Sequence, residues 1–182
     1  MLTYKQYIYM VTIIAGTNRP GSSTLKLAKY HQKVLAQKGL QADILSLTEL
    51  PDTLIATDLY GKRSEAFTKI QQRITATQKF LFIIPEYNGS FPGILKTFID
   101  ACTFPESFYD KKAALVGLSS GRYGNIRGIE HFTGICHYIN LHVMPLKIHI
   151  TSIKNEFDLN DELHVADTIR FTSEQMDKFI KY

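Results

Sequence analysis

Hydrophobic and polar residues alternate in blocks along this chain, and the blocks differ in their periodicity. Short apolar runs bounded by glycine, proline or polar residues predict five buried β-strands, at residues 8–16, 41–47, 79–87, 112–120 and 142–150. Pro145 weakens the fifth run as a strand because proline cannot donate a ladder hydrogen bond. Helices are predicted between and after these strands, at residues 23–39, 62–77, 93–103, 125–140 and 161–182.

This order of elements indicates the fold class. Several of the strands are apolar on both faces, which is typical of a parallel sheet covered by helices on both sides. The sequence therefore predicts a doubly wound α/β fold around a five-stranded parallel sheet. Ligands of such folds bind beyond the carboxyl ends of the strands, at the topological switch point. The loops after the first, third and fourth strands are accordingly the places to look for chemistry.

Length and composition narrow the class of protein. A chain of 182 residues predicts one domain over residues 1–182. Its 45% hydrophobic and 21% charged residues are ordinary for a globular protein and argue against disorder. Every apolar run is far shorter than the roughly 20 residues that span a bilayer, and the first residues lack the pattern of a signal peptide. We expect a soluble, cytoplasmic protein that does not associate with membranes.

The cysteines, the histidines and the net charge give little indication of function. Cys102 and Cys136 fall in predicted helices without metal-like spacing and are expected to be reduced core thiols. The six histidines are scattered, so no metal site is expected. The net charge of +4 would help an anionic ligand to approach, but no nucleic-acid motif accompanies it, and no nucleic-acid partner is expected. The acidic residues 158–162 are interpreted as the polar N-cap of the last helix.

The loop after the first strand has the features of a phosphate site. It reads GTNRPGSST over residues 16–24 and leads into a helix that begins near Ser23. Its hydroxyl donors are Thr17, Ser22, Ser23 and Thr24. Together with the backbone amides of a helix start they predict an anion cradle. Arg19 can add a charge-assisted contact.

Two common nucleotide-binding motifs are excluded because each lacks a required residue at its position. Gly16 and Gly21 have the glycine spacing of a P-loop, but Ser22 stands where the P-loop lysine is required. The GxGxxG dinucleotide motif is absent because Asn18 replaces its second glycine. The loop therefore predicts a site for a single terminal phosphate.

The loop after the third strand has the features of a ring-binding segment. Pro85 ends the strand and Pro92 starts a helix, so residues 86–91 must form a compact loop with Gly89 at its tip. Its backbone amides, together with Asn88, Tyr87 and Phe91, can border a planar heterocycle.

The loop after the fourth strand allows two interpretations. GLSSG at residues 117–121 matches GxSxG, which would make Ser119 the nucleophile of a hydrolase with Asp158 or Asp161 and His164 as partners. Alternatively, its small residues let a flat ligand lie against the backbone. The hydrolase would leave the phosphate cradle without a role, so it stays a remote alternative.

Taken together, these segments resemble the NAD(P)H-dependent FMN reductases of flavodoxin-like fold, which include quinone, azo-dye and chromate reductases. The resemblance runs from about residue 8 to residue 147. Its first segment is matched by Gly16, Thr17, Arg19, Ser22 and Thr24. Its second and longer segment is matched by Pro85, Glu86, Tyr87, Asn88, Ser90, Pro92, Gly93, Leu95, Lys96 and Asp100. Thr17, Thr24 and Thr97 stand where the family usually has serine, asparagine and asparagine.

The resemblance implies the strand order 2-1-3-4-5 and an FMN cofactor. The first segment would hold the FMN phosphate, the second would lie along the isoalloxazine, and the loop after the fourth strand would pass the edge of the ring. The implied cofactor-binding residues are Thr17, Arg19, Ser22, Ser23, Thr24, Pro85, Glu86, Tyr87, Asn88, Gly89, Ser119, Ser120, Gly121 and Arg122. NAD(P)H would donate hydride, and a small-molecule acceptor such as a flavin or quinone would take the electrons in a ping-pong cycle. The flavin carries this chemistry, so no catalytic side chain is expected.

The resemblance also bears on assembly and leaves alternatives open. It implies a homodimer or homotetramer, although residues 101–112 depart from the family pattern near the usual subunit contact. Arg122, Tyr123 and Arg127 can contact phosphates of the nicotinamide cofactor. A flavodoxin-like electron carrier and a flavin-binding sensor, neither of which turns over NAD(P)H, are the main alternatives. Such carriers are usually acidic, which this chain is not.

Overall fold

A parallel β-sheet organises the chain in the computed structural model, which describes residues 11–60 and 63–182. Its strands are β1 (Val11–Ala15), β2 (Ala42–Ser46), β3 (Lys79–Pro85), β4 (Lys112–Leu118), β5 (His142–Val143) and β6 (Ile148–Ile150). Their order is β2-β1-β3-β4-β5, β6 pairs with β4, and every pairing is parallel. The implied order is confirmed. Residues 8–10 of the predicted first strand lie outside the described part of the chain.

The fifth predicted strand is divided into two pieces. β5 pairs with the start of β4 (Lys112 with His142), and β6 pairs with its end (Val116 with Ile148). The prediction of one continuous strand over residues 142–150 was therefore wrong. Pro145 lies between the two pieces, where its missing N–H cannot contribute to the ladder. Both pieces lie beside β4 at the same edge of the sheet.

Helices follow each of these strands except β5 and lie on both faces of the sheet. They are α1 (Ser23–Gln37), α2 (Leu54–Thr57), α3 (Glu65–Ala76), α4 (Gly93–Ala101), α5 (Ile126–Tyr138) and α6 (Ala166–Lys181). Short 3₁₀ turns cover Leu47–Glu49 and Ile153–Glu156. The short α2 was not predicted, because its four residues are too few to show a helical period.

The last helix begins later than predicted. It starts at Ala166 rather than near residue 161, with Val165 at its N-cap. The acidic residues 158–162 do not cap it, contrary to the interpretation of the sequence. Instead, the carboxylate of Asp158 accepts the N–H groups of Asn160 and Glu162 at 2.8 and 2.9 Å. These bonds close a turn, and the residues from Asp158 to Val165 are not helical, so Asp158 does not cap α6.

Two hydrophobic layers lie against the sheet, one on each face. Alternate residues of a strand enter opposite layers: Phe80 and Phe82 join one, and Leu81 and Ile83 join the other. The first layer is closed by α3, α4 and α5, and the second by α1 and α6. Burial of each such side chain contributes about 1.5–3 kcal/mol. This double burial explains why the strands are apolar on both faces.

The cysteines lie in the first of these layers. Cys102 and Cys136 are free and buried, as the sequence predicted. Burial raises the pKa of the Cys136 thiol to about 12 and also raises that of Cys102. Neither thiol is ionised near neutral pH, so both act as packing groups. Over residues 11–60 and 63–182, no helix is long and apolar enough to cross a membrane.

Candidate functional site

A cleft of about 240 Å³ lies at the carboxyl edge of the sheet. Backbone hydrogen bonds continue just past the strand ends there: Gly16 N–H donates to Ile83 O at 2.9 Å, and Glu86 N–H donates to Leu118 O at 2.8 Å. The loops after β1, β3 and β4 consequently leave from one edge and border the same space. The predicted residues that line it are Thr17, Arg19, Ser22, Ser23, Thr24, Pro85, Glu86, Tyr87, Ser119 and Ser120.

The loop after β1 presents a helix N-terminus to this cleft. Ser22 is the N-cap of α1, and its side chain accepts the N–H of Leu25 at 3.3 Å. The N–H groups of Ser23 and Thr24, in the first turn, have no acceptor within the helix. The first turn of α1 contains no acidic side chain. Free N–H groups and the helix dipole together favour an anion at this point.

Thr17 connects the first and second loops. It is buried, and its Oγ1 lies 3.0 Å from the hydroxyl oxygen of Tyr87. The same oxygen accepts the backbone N–H of Arg19 at 3.3 Å. Gly16, just before it, has no room for a side chain, because a Cβ there would lie 2.9 Å from Ile83 O. Thr17 therefore holds the loop after β1 against the loop after β3 as well as lining the cleft.

The loop after β3 is a tight turn at residues 87–90. Tyr87 and Ser90 exchange backbone hydrogen bonds of 2.8 and 3.0 Å. Asn88 and Gly89, the central residues, have φ angles of 51° and 76°. Positive φ at both positions is the signature of a type I′ turn, for which Asn-Gly is the preferred pair. The turn brings Glu86 and Tyr87 to the cleft, whereas Asn88 and Gly89 lie at its tip and do not line it.

Two further contacts fix this turn. The Oγ of Ser90 lies 3.0 Å from Nδ1 of His131 on α5. Phe91, which was predicted to border a ring, packs instead on Phe132, with ring centroids 5.5 Å apart, and joins the hydrophobic layer. Aromatic residues near strand ends enter the core when a helix covers them, and α5 covers Phe91.

The polar groups of the loop after β4 form hydrogen bonds with one another. The Oγ of Ser119 accepts the N–H of Gly124 at 2.9 Å and donates to the carbonyl of Gly121 at 3.1 Å. In the described part of the chain, no histidine forms a hydrogen bond with this hydroxyl. A serine nucleophile needs such a base to take its proton. The geometry therefore gives no support to the hydrolase alternative.

The remaining predicted residues of this loop lie away from the cleft. Gly121 and Arg122 do not line it. The carbonyl of Gly121 accepts the N–H of Ser152 at 2.9 Å and so connects the loop to the segment after β6. Arg122 is exposed.

Lys154 and Ile153 also line the cleft and were missed in the sequence. They belong to the 3₁₀ turn that follows β6, whereas the sequence predicts chemistry at the loops after the first, third and fourth strands. The signal that could have found Lys154 is a basic residue just after the fifth apolar run, where that strand also reaches the carboxyl edge. Pro20, Gly21 and Leu118 complete the lining.

A second, smaller cavity adjoins the cleft. It measures about 130 Å³ and is lined by Glu86, Tyr123, Ile126 and Arg127. Glu86 borders both spaces. Of the residues predicted to contact a nicotinamide cofactor, Tyr123 and Arg127 lie here.

The sheet order and the cleft define the class: this is a flavodoxin-like protein whose cleft lies between the open N-terminus of α1 and a rigid turn that carries Tyr87. A sequence profile of the family described as NADPH-dependent FMN reductase matches residues 9–155. The chain therefore belongs to that family of enzymes, whose cofactor is FMN and whose donor is NAD(P)H.

Characterised relatives agree with this assignment. The chain is 27% identical over 173 residues to a 2-hydroxy-1,4-benzoquinone reductase of a Burkholderia species, an alignment that covers 93% of each protein. It is 30% identical over 154 residues to an NAD(P)H-dependent FMN reductase of Pseudomonas aeruginosa, covering 82% of each.

Solved structures show the same architecture. The flavoenzyme NAD(P)H:(acceptor) oxidoreductase FerB of Paracoccus denitrificans superposes with a TM-score of 0.79 at 26% identity, covering 94% of this chain and 95% of that one. A flavodoxin variant of Pseudomonas aeruginosa superposes with a TM-score of 0.59 at 18% identity, covering 93% and 97%. The second likeness concerns the fold alone.

Proposed function

We propose that this protein is an FMN-dependent reductase that oxidises NAD(P)H and reduces a small acceptor such as a flavin, a quinone or a similar compound. The observation that carries the proposal is the meeting of three loops at one cleft in a chain of the FMN reductase family. One end of that cleft offers free helix N–H groups and hydroxyls, and the other end offers a rigid turn. FMN has a phosphate and a planar ring that require these two kinds of surface.

The phosphate end of FMN fits the start of α1. Ser22, Ser23 and Thr24 line the cleft with hydroxyls and first-turn amides, and Arg19 adds a guanidinium. A phosphate at a helix N-terminus needs these groups: N–H donors, a favourable dipole and a cation. Thr17 would hold the loop in place through its contact with Tyr87.

The ring end of FMN fits the loops after β3 and β4. Pro85, Glu86 and Tyr87 would run along the ring, held rigid by the turn of Asn88 and Gly89 beyond them. Ser119 and Ser120 would lie at its edge, and Gly121 and Arg122 would support that edge from outside the cleft. Rigid backbone is suited to this purpose because it presents N–H and C=O groups without a loss of side-chain entropy.

FMN, when bound, supplies the redox chemistry by accepting two electrons and a proton from NAD(P)H and releasing them to the acceptor. The side chains bind, orient and shield, and none is required as acid, base or nucleophile. Donor and acceptor would use the same open side of the cleft in turn, in a ping-pong cycle. Tyr123, Ile126 and Arg127, which line the adjoining cavity, are placed to contact whichever of the two is present.

Three further statements belong to the proposal. The chain acts as a single domain over residues 1–182, it works in the cytoplasm, and it assembles as a homodimer or homotetramer. The unpaired, buried Cys102 and Cys136 support a reducing compartment. The assembly is proposed from the family resemblance.

The test is a visible spectrum of the purified protein with FMN, recorded anaerobically before and after addition of NADPH and then NADH. The proposal predicts rapid bleaching of bound flavin by one or both nucleotides, followed by recovery of the spectrum when a quinone is added. Flavin that binds but is bleached by neither nucleotide would favour an electron carrier or a sensor. Failure to bind flavin would overturn the proposal, and an ester substrate would then test Ser119.

A further inference from the structure

The turn at Ile153–Glu156 is held from two sides. On one side, Ser119 N–H donates to Ile150 O at 3.0 Å, and Ile153 N–H donates back to Ser119 O at 3.0 Å. On the other side, ion pairs of Lys26 with Asp161 and of Lys33 with Glu162 attach the following loop to α1. The turn is thereby fixed between the loop after β4 and the helix whose N-terminus borders the cleft.

Lys154, on this turn, lines the cleft together with Arg19. Within the described ranges it forms no ion pair, whereas Lys26, Lys33 and Lys147 are each paired with a carboxylate. The charged residues that line the cleft are these two cations and Glu86. A lysine that faces a cleft without a carboxylate partner is available to an anionic ligand.

We propose that Lys154 is a second cation for the phosphate of FMN and makes the site select the phosphorylated flavin over riboflavin. The inference rests on the proposed function. A phosphate monoester carries about −1.5 to −2 charges at pH 7. The start of α1 supplies the equivalent of roughly +0.5 charge, and Arg19 supplies one full charge. Glu86 also lines the cleft and offsets one positive charge, so with the phosphate the site carries about −1 to −1.5 charges without Lys154 and about 0 to −0.5 with it. A lysine ammonium suits phosphate as a point charge.

The experiment compares binding of FMN and riboflavin, measured by quenching of flavin fluorescence in the flavin-free protein. The variants are Lys154→Gln, Lys154→Arg and, as a control of equal charge change, Lys181→Gln. Lys181 lies in the last turn of α6, and its neighbour Tyr182 contacts Lys112 at the start of β4, the opposite edge of the sheet.

Lys154→Gln is expected to weaken FMN binding about tenfold, the loss typical of one charge-assisted hydrogen bond. Riboflavin affinity and melting temperature stay unchanged, because riboflavin has no phosphate and Lys154 is exposed. Lys154→Arg keeps FMN affinity within about threefold because it retains the charge, and Lys181→Gln has no effect on either flavin.

Unchanged FMN affinity in Lys154→Gln would overturn the inference and leave the proposed function intact. An equal loss for FMN and riboflavin would overturn it as well, since Lys154 would then act on the ring or on the fold. Absence of FMN binding by the unmodified protein would instead remove the proposed function on which the inference rests.

Discussion

The loops after β1 and β4 are built from the same small and hydroxylated residues, yet they use them differently. In residues 16–22 the hydroxyls and amides near the start of α1 line the cleft. In residues 119–125 the Ser119 hydroxyl is bonded within the loop, to Gly121 and Gly124. Both loops line the cleft, but the loop after β1 leads into free N–H groups at a helix start, whereas the loop after β4 is closed on itself by the bonds of Ser119.

The glycines of the two loops show the same difference. Gly21 has a φ of +63°, but no atom lies within 4 Å of where its Cβ would be. Gly124 has a φ of +54°, and a Cβ there would lie 2.7 Å from the carbonyl carbon of His149 and 2.8 Å from Ile150 N. Gly21 is needed only for its positive φ, whereas Gly124 is needed for its positive φ and for the close packing of the loop on β6.

Gly124→Ala should therefore have the largest effect. Overpacking against backbone costs about 1–3 kcal/mol, and a positive φ costs an alanine about 1 kcal/mol more. A loss of about 2–4 kcal/mol in the free energy of unfolding is therefore expected in urea. Gly21→Ala should cost about 1 kcal/mol. Gly121→Ala, which meets no atom within 4 Å and carries no positive φ, is the control with no loss. Equal losses at Gly124 and Gly21 would refute the contrast.

Acid pH should have the next largest effect, and it should destabilise α1, which follows the loop after β1, more than α5, which follows the loop after β4. His31 lies fully buried in α1, with Nδ1 2.8 Å from Leu27 O, and burial lowers its pKa to about 4. An unfolded histidine has a pKa of about 6.5, so between these values the folded state binds fewer protons, and stability present above pH 6.5 falls as the pH approaches 4. The loss is about 3 kcal/mol.

His31→Leu should lack that part of the pH dependence. Urea titrations of both proteins at pH 7.5 and pH 4 measure the loss in free energy of unfolding between these pH values. The carboxylates contribute equally to both proteins, so the difference between the two losses is the contribution of His31. Hydrogen exchange should show that α1 loses protection before α5 does. Identical pH profiles for the two proteins would contradict the assignment.

Ser119→Ala tests the loop after β4 through its effect on the free energy of unfolding. The substitution leaves the buried N–H of Gly124 without its acceptor, which costs about 2 kcal/mol. Ser120→Ala, at an exposed position in the same loop, should change the midpoint of urea unfolding hardly at all. If Ser119 were a nucleophile instead, its loss would abolish an esterase activity and spare the fold.

Thr24→Val tests the other loop and has the smallest expected effect. Valine keeps the shape of Thr24 but removes a hydroxyl from the cleft, so FMN binding should weaken about fivefold, or about 1 kcal/mol, with the unfolding midpoint unchanged. Thr133→Val removes a hydroxyl that bonds Ile129 O within α5, outside the cleft, and is the control. Isothermal titration with FMN measures both, and a larger loss in the control would refute the role of Thr24.

Much of the fold could be predicted because its signals are local. The strands of the central sheet are continuous apolar runs, and Gly39 and Pro92 mark helix boundaries near where they are observed. Pro145 indicated that the fifth strand would be weak. It did not indicate that the pieces on either side would both pair with β4, because that pairing depends on the register of the sheet. The Asp158 turn was mistaken for a cap because capping boxes and Asx turns use the same residues.

The site was predicted less completely because it depends on contacts between distant residues. The five residues predicted in the loop after β1 were selected from the composition of that loop alone, and all five line the cleft. Lys154 was missed because its place there is set by the backbone hydrogen bond from its neighbour Ile153 to Ser119, far away in the sequence. The internal bonds of Ser119 could not be read from GLSSG, since they form only when Gly124 folds back over it.

The central claim is that FMN binds in the cleft between the loops after β1, β3 and β4. Amide chemical shifts of the ¹⁵N-labelled protein during titration with FMN test it most directly. The account predicts that the largest changes fall at residues 19–24, 86–87, 119–120 and 154, with little change in the groove between α4 and α5 around Lys96 and Tyr138. Changes concentrated in that groove, or none at saturating FMN, would contradict it.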